Sequence, residues 1–177
     1  MKKNLQKAGV LSNQEILELI NKDIITSKNG IEKDLIQPAS IDLRLGLKAW
    51  RVPASFLPGK ENKVSSRLKD LAMHEFSLAD GAVLECGCVY IVKLLESVYL
   101  TENLTGIANP KSSTGRLDVF TRLIVDGSTE FEEIPAGYEG PLYAEISPRT
   151  FSVLVRTGSR LNQLRLRRGQ SFTTDKE

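Results

Sequence analysis

Apolar residues recur at helical spacing only twice along the chain. In "SNQEILELINK", Ile16, Leu19 and Ile20 fall on one face of a helix. Ser12 with Glu15 three residues on is a capping box, in which each side chain satisfies a backbone N–H that the first turn leaves unbonded. The pattern predicts a helix from Ser12 that stops near Gly30. A second, shorter helix is predicted in "SSRLKDLAMHEF", with Ser66 as its cap and Leu68, Leu71 and Ala72 facing inward. Elsewhere the period falls to two. "ASIDLRLG" sets Ile41, Leu43 and Leu45 against Asp42 and Arg44. "CVYIVKLLESVYL", "LYAEI" and "FSVLVRTG" are short and rich in β-branched or aromatic residues, and Gly, Pro and Asn turns such as "LPGKEN", "LADGAV" and "PAGYEGP" separate them. Strands do not alternate with long helices, so a parallel βαβ sheet is not expected. A mainly-β sandwich or barrel-like fold with one or two short helices is.

The length of 177 residues suits one domain, placed at residues 1–170, with 171–177 as a tail or the start of a linker. A hydrophobic share of 41% is enough to form a core, and a net charge of +2 gives no general basic field for nucleic acid. The basic residues are local, in "RTGSRLNQLRLRRG". No stretch approaches the roughly 20 apolar residues that span a bilayer, and the N-terminus lacks the apolar core of a signal peptide. Two cysteines, Cys86 and Cys88, make no disulfide framework, so a reducing, cytoplasmic setting is expected. Both are read as small buried thiols entering a strand. The single histidine, His74, is read as a structural helix-end residue. It provides neither a zinc-ligand cluster nor a Ser-His-Asp triad.

Four stretches carry candidate chemistry. "NPKSSTGRLD" places Ser112 and Ser113 after a proline, with Lys111 and Arg116 on either side. Hydroxyls and backbone N–H groups there can form a small nest for phosphate oxygens, to which Arg116 adds a planar fork and Lys111 a point charge. In "IPAGYEGPLYAEI", Glu145 shares a strand face with Tyr143, opposite Leu142 and Ala144. It either faces solvent, which periodicity favours, or lines a pocket where a carboxylate can move protons. In "GSRLNQLRL", Asn162 and Gln163 interrupt an apolar strand and need partners. In "QPASIDLRLG", Asp42 and Arg44 share a face and suggest a structural salt bridge.

In this order, "IQPASIDLRLG", "NPKSSTGRLDVFTR", "AGYEGPLYAEI" and "GSRLNQLRL" resemble the dCTP deaminase branch of the trimeric dUTPase superfamily across nearly the whole chain. The resemblance implies a distorted β-sandwich or jelly-roll of the dUTPase-like (β-clip) type, and a homotrimer with active sites between subunits. It implies hydrolytic deamination of dCTP to dUTP, with Mg²⁺ accompanying the triphosphate, no zinc, and dTTP as a regulator. Neither nucleic acid nor membrane is an expected partner. Carried onto this chain, Glu145 matches the general acid/base and Ser112 the hydroxyl that helps hold the attacking water. Lys111, Ser113 and Arg116 match the triphosphate cradle, Gln163 the motif's glutamine, and Arg122 a position lining the site. Two readings stay beside it. One is a dUTP diphosphatase of the same fold, against which Pro135 and Ala136 stand where that enzyme carries a water-activating aspartate. The other is a nucleotide-binding or oligomerisation module without turnover. The long stretch "VDGSTEFEEIPAG" between Arg116 and Glu145 resembles a subgroup whose chains carry a second, related half. The chain is then expected to correspond to the first half.

Overall fold

The computed structural model describes residues 8–169. Strand β1 (Gly9–Val10) leads into helix α1 (Asn13–Asn21), β2 (Ile25–Ser27), a 3₁₀ turn (Lys33–Leu35), β3 (Ile36–Gln37) and the long β4 (Ser40–Val52). Helix α2 (Val64–Leu71), β5 (His74–Ser77), β6 (Ala82–Leu84), β7 (Val89–Tyr99) and β8 (Leu104–Pro110) follow. The short helix α3 (Ser112–Arg116), β9 (Val119–Val125), β10 (Glu133–Ile134), β11 (Glu139–Pro148), β12 (Val153–Val155) and β13 (Arg160–Arg168) complete the chain. The main sheet runs in the order β10-β8-β13-β4-β7-β11-β9, and its strand pairs are antiparallel. This is the mainly-β architecture that the period-two pattern predicts.

Strand β4 turns the sheet into a sandwich. Its first half pairs with β13, with Asp42 opposite Gln163, and its second half pairs with β7, with Trp50 opposite Ile91. The register shifts between Leu45 and Ala49, at the bend. Gly46 is required there, because a Cβ would stand 2.4 Å from the carbonyl oxygen of Lys93. The main core gathers residues from both halves, among them Ile41, Leu43, Leu45, Val92, Leu94, Ala144, Ile146, Leu164 and Leu166. Each valine, leucine and isoleucine among them contributes about 1.5–3 kcal/mol by leaving water.

A second, smaller core lies on the other face of β4-β7-β11-β9. Val52, Ile91, Ile124 and Tyr143 pack there against Val64 and Leu68 of α2, with Trp50, Phe56, Leu57 and Phe131 at its margin. The alternation along β11 follows from this division: Leu142, Ala144 and Ile146 enter the main core, and Tyr143 enters the second.

The capping box forms as predicted, with Ser12 and Glu15 bonding each other's backbone N–H. Several local expectations are corrected. Helix α1 ends at Asn21, well before Gly30, because Asp23 adopts a left-handed conformation (φ 56°) and the chain turns into β2. Helix α2 starts at Val64, so Ser66 lies inside it. A distant carboxylate does the capping, as Val64 N–H donates to Asp126 Oδ1 (2.7 Å). Leu68 is buried, whereas Leu71 and Ala72 are only partly so. His74 opens β5 and is exposed. Cys86 is exposed and Cys88 half-buried, the latter accepting a hydrogen bond from Arg51 Nη2 (3.0 Å). "FSVLVRTG" yields only the three residues of β12. The stretch 171–177 lies outside the described residues. No described helix is long and apolar enough to cross a membrane.

Candidate active site

Glu145 sits mid-way along β11, opposite Arg122 on β9 and Ile91 on β7. It is 2% exposed, so the solvent-face expectation is overturned: α2 and the stretch before it cover this face. Arg122 balances its charge. Arg122 donates to Glu145 Oε1 from Nη2 (2.7 Å) and Nε (3.2 Å). Ser55 donates from Oγ to the other oxygen, Oε2 (2.6 Å), and accepts from Arg122 Nη2 (2.6 Å). The guanidinium stacks on the ring of Phe131, 3.5 Å from its centroid, with Phe120 at 4.9 Å. These aromatic contacts fix the plane of a fork that holds the carboxylate in one orientation. A buried, oriented carboxylate with a fixed cation beside it is equipped to accept and return protons.

A second carboxylate, Glu132, stands close to Arg122. Its backbone is left-handed (φ 71°), its N–H bonds Leu123 O (3.0 Å), and its Oε2 is buried without a hydrogen-bond partner among the described residues. Burial raises its pKa from the ordinary 4.5 to about 7, against the opposing pull of the Arg122 charge. A carboxyl raised on folding stabilises the fold fully below the unfolded value, and that contribution is lost as pH climbs through about 7. Glu132→Gln removes the loss. In urea melts the variant is expected to match the parent at pH 4 and to exceed it at pH 8 by about 1–2 kcal/mol, the group's partial exposure screening the full effect. An equal difference at both pH values would rule out titration as its cause.

The Ser-Ser stretch forms a separate group. Helix α3 begins at Ser112, and its foot is fastened to β13: Lys111 N–H and Thr114 Oγ1 both donate to Leu161 O (2.8 and 3.0 Å). Ser112, Ser113 and Arg116 remain exposed. Lys111 Nζ bonds Oδ2 of Asp42, a carboxylate only 1% exposed, so the expected point charge is anchored from beneath. Gln163 lies in β13 between Asp42 of β4 and Asn109 of β8, and its Oε1 accepts from Ser40 Oγ (3.3 Å). Asn162, buried beside it, accepts from Thr121 Oγ1 (2.8 Å). The predicted Asp42–Arg44 bridge is not made. Arg44 turns to Glu96 of β7, which is fully buried.

One chain thus brings Lys111, Ser112, Ser113, Arg116 and Gln163 to one place, and Glu145 and Arg122 to another. Among the described residues no hydrogen bond or ion pair joins the two. Along β9, Arg122 lies three residues beyond Val119, about 10 Å of extended strand. The sequence reading missed Ser55, Glu132 and Phe131 and mispaired Asp42. A serine in an irregular stretch gives no signal of its own. Glu132, in "FEEIPAG", could have been noticed as a charge beside apolar residues. No three His, Cys, Asp or Glu side chains among the described residues are grouped to hold a metal ion.

Residues 7–170 match the family model for the 2'-deoxycytidine 5'-triphosphate deaminase (DCD) N-terminal domain. The chain belongs to this family. Among dCTP deaminase family relatives, the dCTP deaminase of Haemophilus ducreyi is 28% identical over 143 residues, covering 76% of this chain and 70% of its own. That of Mannheimia succiniciproducens is 30% identical over 128 residues, covering 68% and 62%. The crystal structure of the Agrobacterium tumefaciens dCTP deaminase superposes with a TM-score of 0.92 at 52% identity over 96% of this chain. The chain spans about half the length of that protein, 51%. The dUTPase of EIAV has a TM-score of 0.51 at 13% identity over 86% of this chain and 93% of its own, a likeness of fold alone. The dUTPase-like sandwich expected of the dCTP deaminase family is therefore the fold of this chain.

Proposed function

We propose that the chain deaminates dCTP to dUTP by hydrolysis, with Glu145 as general acid and base. The observation that carries this reading is the Glu145 carboxylate, buried in a member of the deaminase family with one oxygen on Arg122 and the other on a hydroxyl. In the first half of the reaction, the oxygen of water bonds to C4 of cytosine, and its proton passes through Glu145 to ring N3. In the second half, the new hydroxyl's proton passes the same way to the amino nitrogen. The C4–N bond then breaks and ammonia leaves. Ser112 holds the water, Arg122 keeps Glu145 in register, and Lys111, Ser113 and Arg116 take the triphosphate, with Gln163 beside them. Mg²⁺ comes with the triphosphate, carried on phosphate oxygens whose charge it neutralises. No zinc is invoked.

Among the described residues no bond joins the two groups within one chain, and with the resemblance to the trimeric superfamily this supports a homotrimer in which the Ser112 group of one subunit serves Glu145 of the next. dTTP, resembling the substrate in its triphosphate, is the natural regulator of such a site. The test is a product assay with dCTP and dUTP side by side. Ammonia from dCTP without pyrophosphate from either nucleotide is the expected result. Pyrophosphate release would favour a diphosphatase, and binding without product a non-catalytic module. Pro135 and Ala136, exposed in the turn before Tyr138, put no carboxylate at that turn for attack on phosphate.

A further inference from the structure

Ser55 touches both members of the Glu145–Arg122 pair, and neither the family motifs nor the proposed mechanism gives it a role. It lies on the stretch 53–63 between β4 and α2, at an exposed position. The far end of this stretch is well tied. Gly59 N–H donates to Ser128 O (3.1 Å), Gly127 N–H to Asn62 O (2.9 Å) and Val64 N–H to Asp126 Oδ1 (2.7 Å). From Pro53 to Pro58 no backbone hydrogen bond is made among the described residues. Two prolines remove donors from this run and fix its φ angles. What holds it is the Ser55 hydroxyl, together with Phe56 and Leu57 packed on the second core.

A hydroxyl has one proton to donate and lone pairs to accept with. Ser55 gives its proton to Glu145 Oε2 and takes one from Arg122, closing a three-membered cycle of charge-assisted bonds. With Oε1 committed to Arg122, Oε2 is the oxygen left to meet water, and Ser55 is the group that sets its direction. We propose that Ser55 is a positioning residue for the Glu145 carboxylate and that residues 53–58 form the latch that carries it. The positioning role rests on the deaminase reading, and the latch does not.

The test uses the 177-residue chain with Ser55→Ala and Ser55→Thr. Without nucleotide, chymotrypsin is expected to cut after Phe56 about tenfold faster in Ser55→Ala, because the tie on the segment is gone. Ser55→Thr, which keeps the hydroxyl, should be cut like the parent. With dCTP, Ser55→Ala is expected to lose about 10- to 100-fold in kcat, the worth of a hydrogen bond to a charged group. KM should stay within about twofold, and threonine should restore the rate. An unchanged cleavage rate in Ser55→Ala overturns the latch. An unchanged or raised kcat overturns the positioning role. If the parent chain makes no dUTP, the deaminase reading falls, and the cleavage comparison still decides the latch.

Discussion

Replacing Glu145 with glutamine is expected to lower dUTP formation from dCTP by about 10²- to 10⁴-fold, the usual contribution of a general acid and base. Nucleotide binding should persist. Glutamine matches glutamate in shape, and its carbonyl oxygen can still accept from Arg122, so the fork and its aromatic neighbours keep their places. What is lost is the capacity to take a proton from water. Product chromatography against a calorimetric titration with dCTP separates the two effects. Loss of binding in step with turnover would recast Glu145 as a structural anchor for Arg122. Wild-type turnover would remove it from the mechanism. Glu145→Asp is a useful companion. It keeps the charge but is one methylene shorter, so it cannot reach both Arg122 and Ser55.

Arg44→Met is expected to cost about 3–5 kcal/mol of folding stability. Arg44 Nε bonds Glu96 Oε1 (2.7 Å), its backbone N–H bonds Glu96 Oε2 (2.8 Å), and its Nη2 reaches Ser27 Oγ and Gly30 O (3.1 and 2.5 Å). One side chain thus ties β4 to β7, to β2 and to the turn after it. Removing it strands a fully buried carboxylate. Burial already pushes the Glu96 pKa up, and the Arg44 bonds are the chief opposing influence. A group raised on folding contributes stability below its unfolded pKa and loses it as pH rises, so the deficit should be widest at neutral pH. It should shrink as acid protonates Glu96. Denaturant melts across pH check both size and slope. Adding Glu96→Leu to Arg44→Met should recover much of the loss, since an apolar pair of similar volume removes the stranded charge. For a domain whose whole stability is of order 5–15 kcal/mol, a loss of this size can unfold it.

Much of this is legible in the sequence, and the illegible parts share a cause. Periodicity shows which residues share a face, as Tyr143 and Glu145 do, but not whether another layer covers that face. The cover over Glu145 comes from residues 74 to 90 positions earlier, through Ser55 and α2. The same limit explains Asp42 and Arg44. Two residues apart on one strand, they point the same way, yet their partners come from elsewhere in the chain, Lys111 at the foot of α3 for one and Glu96 of β7 for the other. It explains α2 as well, whose cap is supplied by Asp126 and not by a nearby serine. Where the determinants are local, as in the Ser12–Glu15 box or the alternating faces of β4 and β11, sequence and structure agree. The residues gathered at α3 were found together because they are neighbours in one motif, apart from Gln163, which the resemblance joined to them.

The second core has a practical use. Its margin holds Trp50, the sole tryptophan of the chain, alongside Phe56 and Leu57 of the latch, with the indole N–H on Glu75 Oε2 (2.9 Å). The protein therefore carries its own optical reporter, free of competing emitters of the same kind. Indole emission depends on the polarity around the ring, so a shift in its wavelength registers a change in how wet the margin of this core is. A stopped-flow trace on the unlabelled chain can then follow whether nucleotide changes the surroundings of this margin, independently of any chemistry at Glu145.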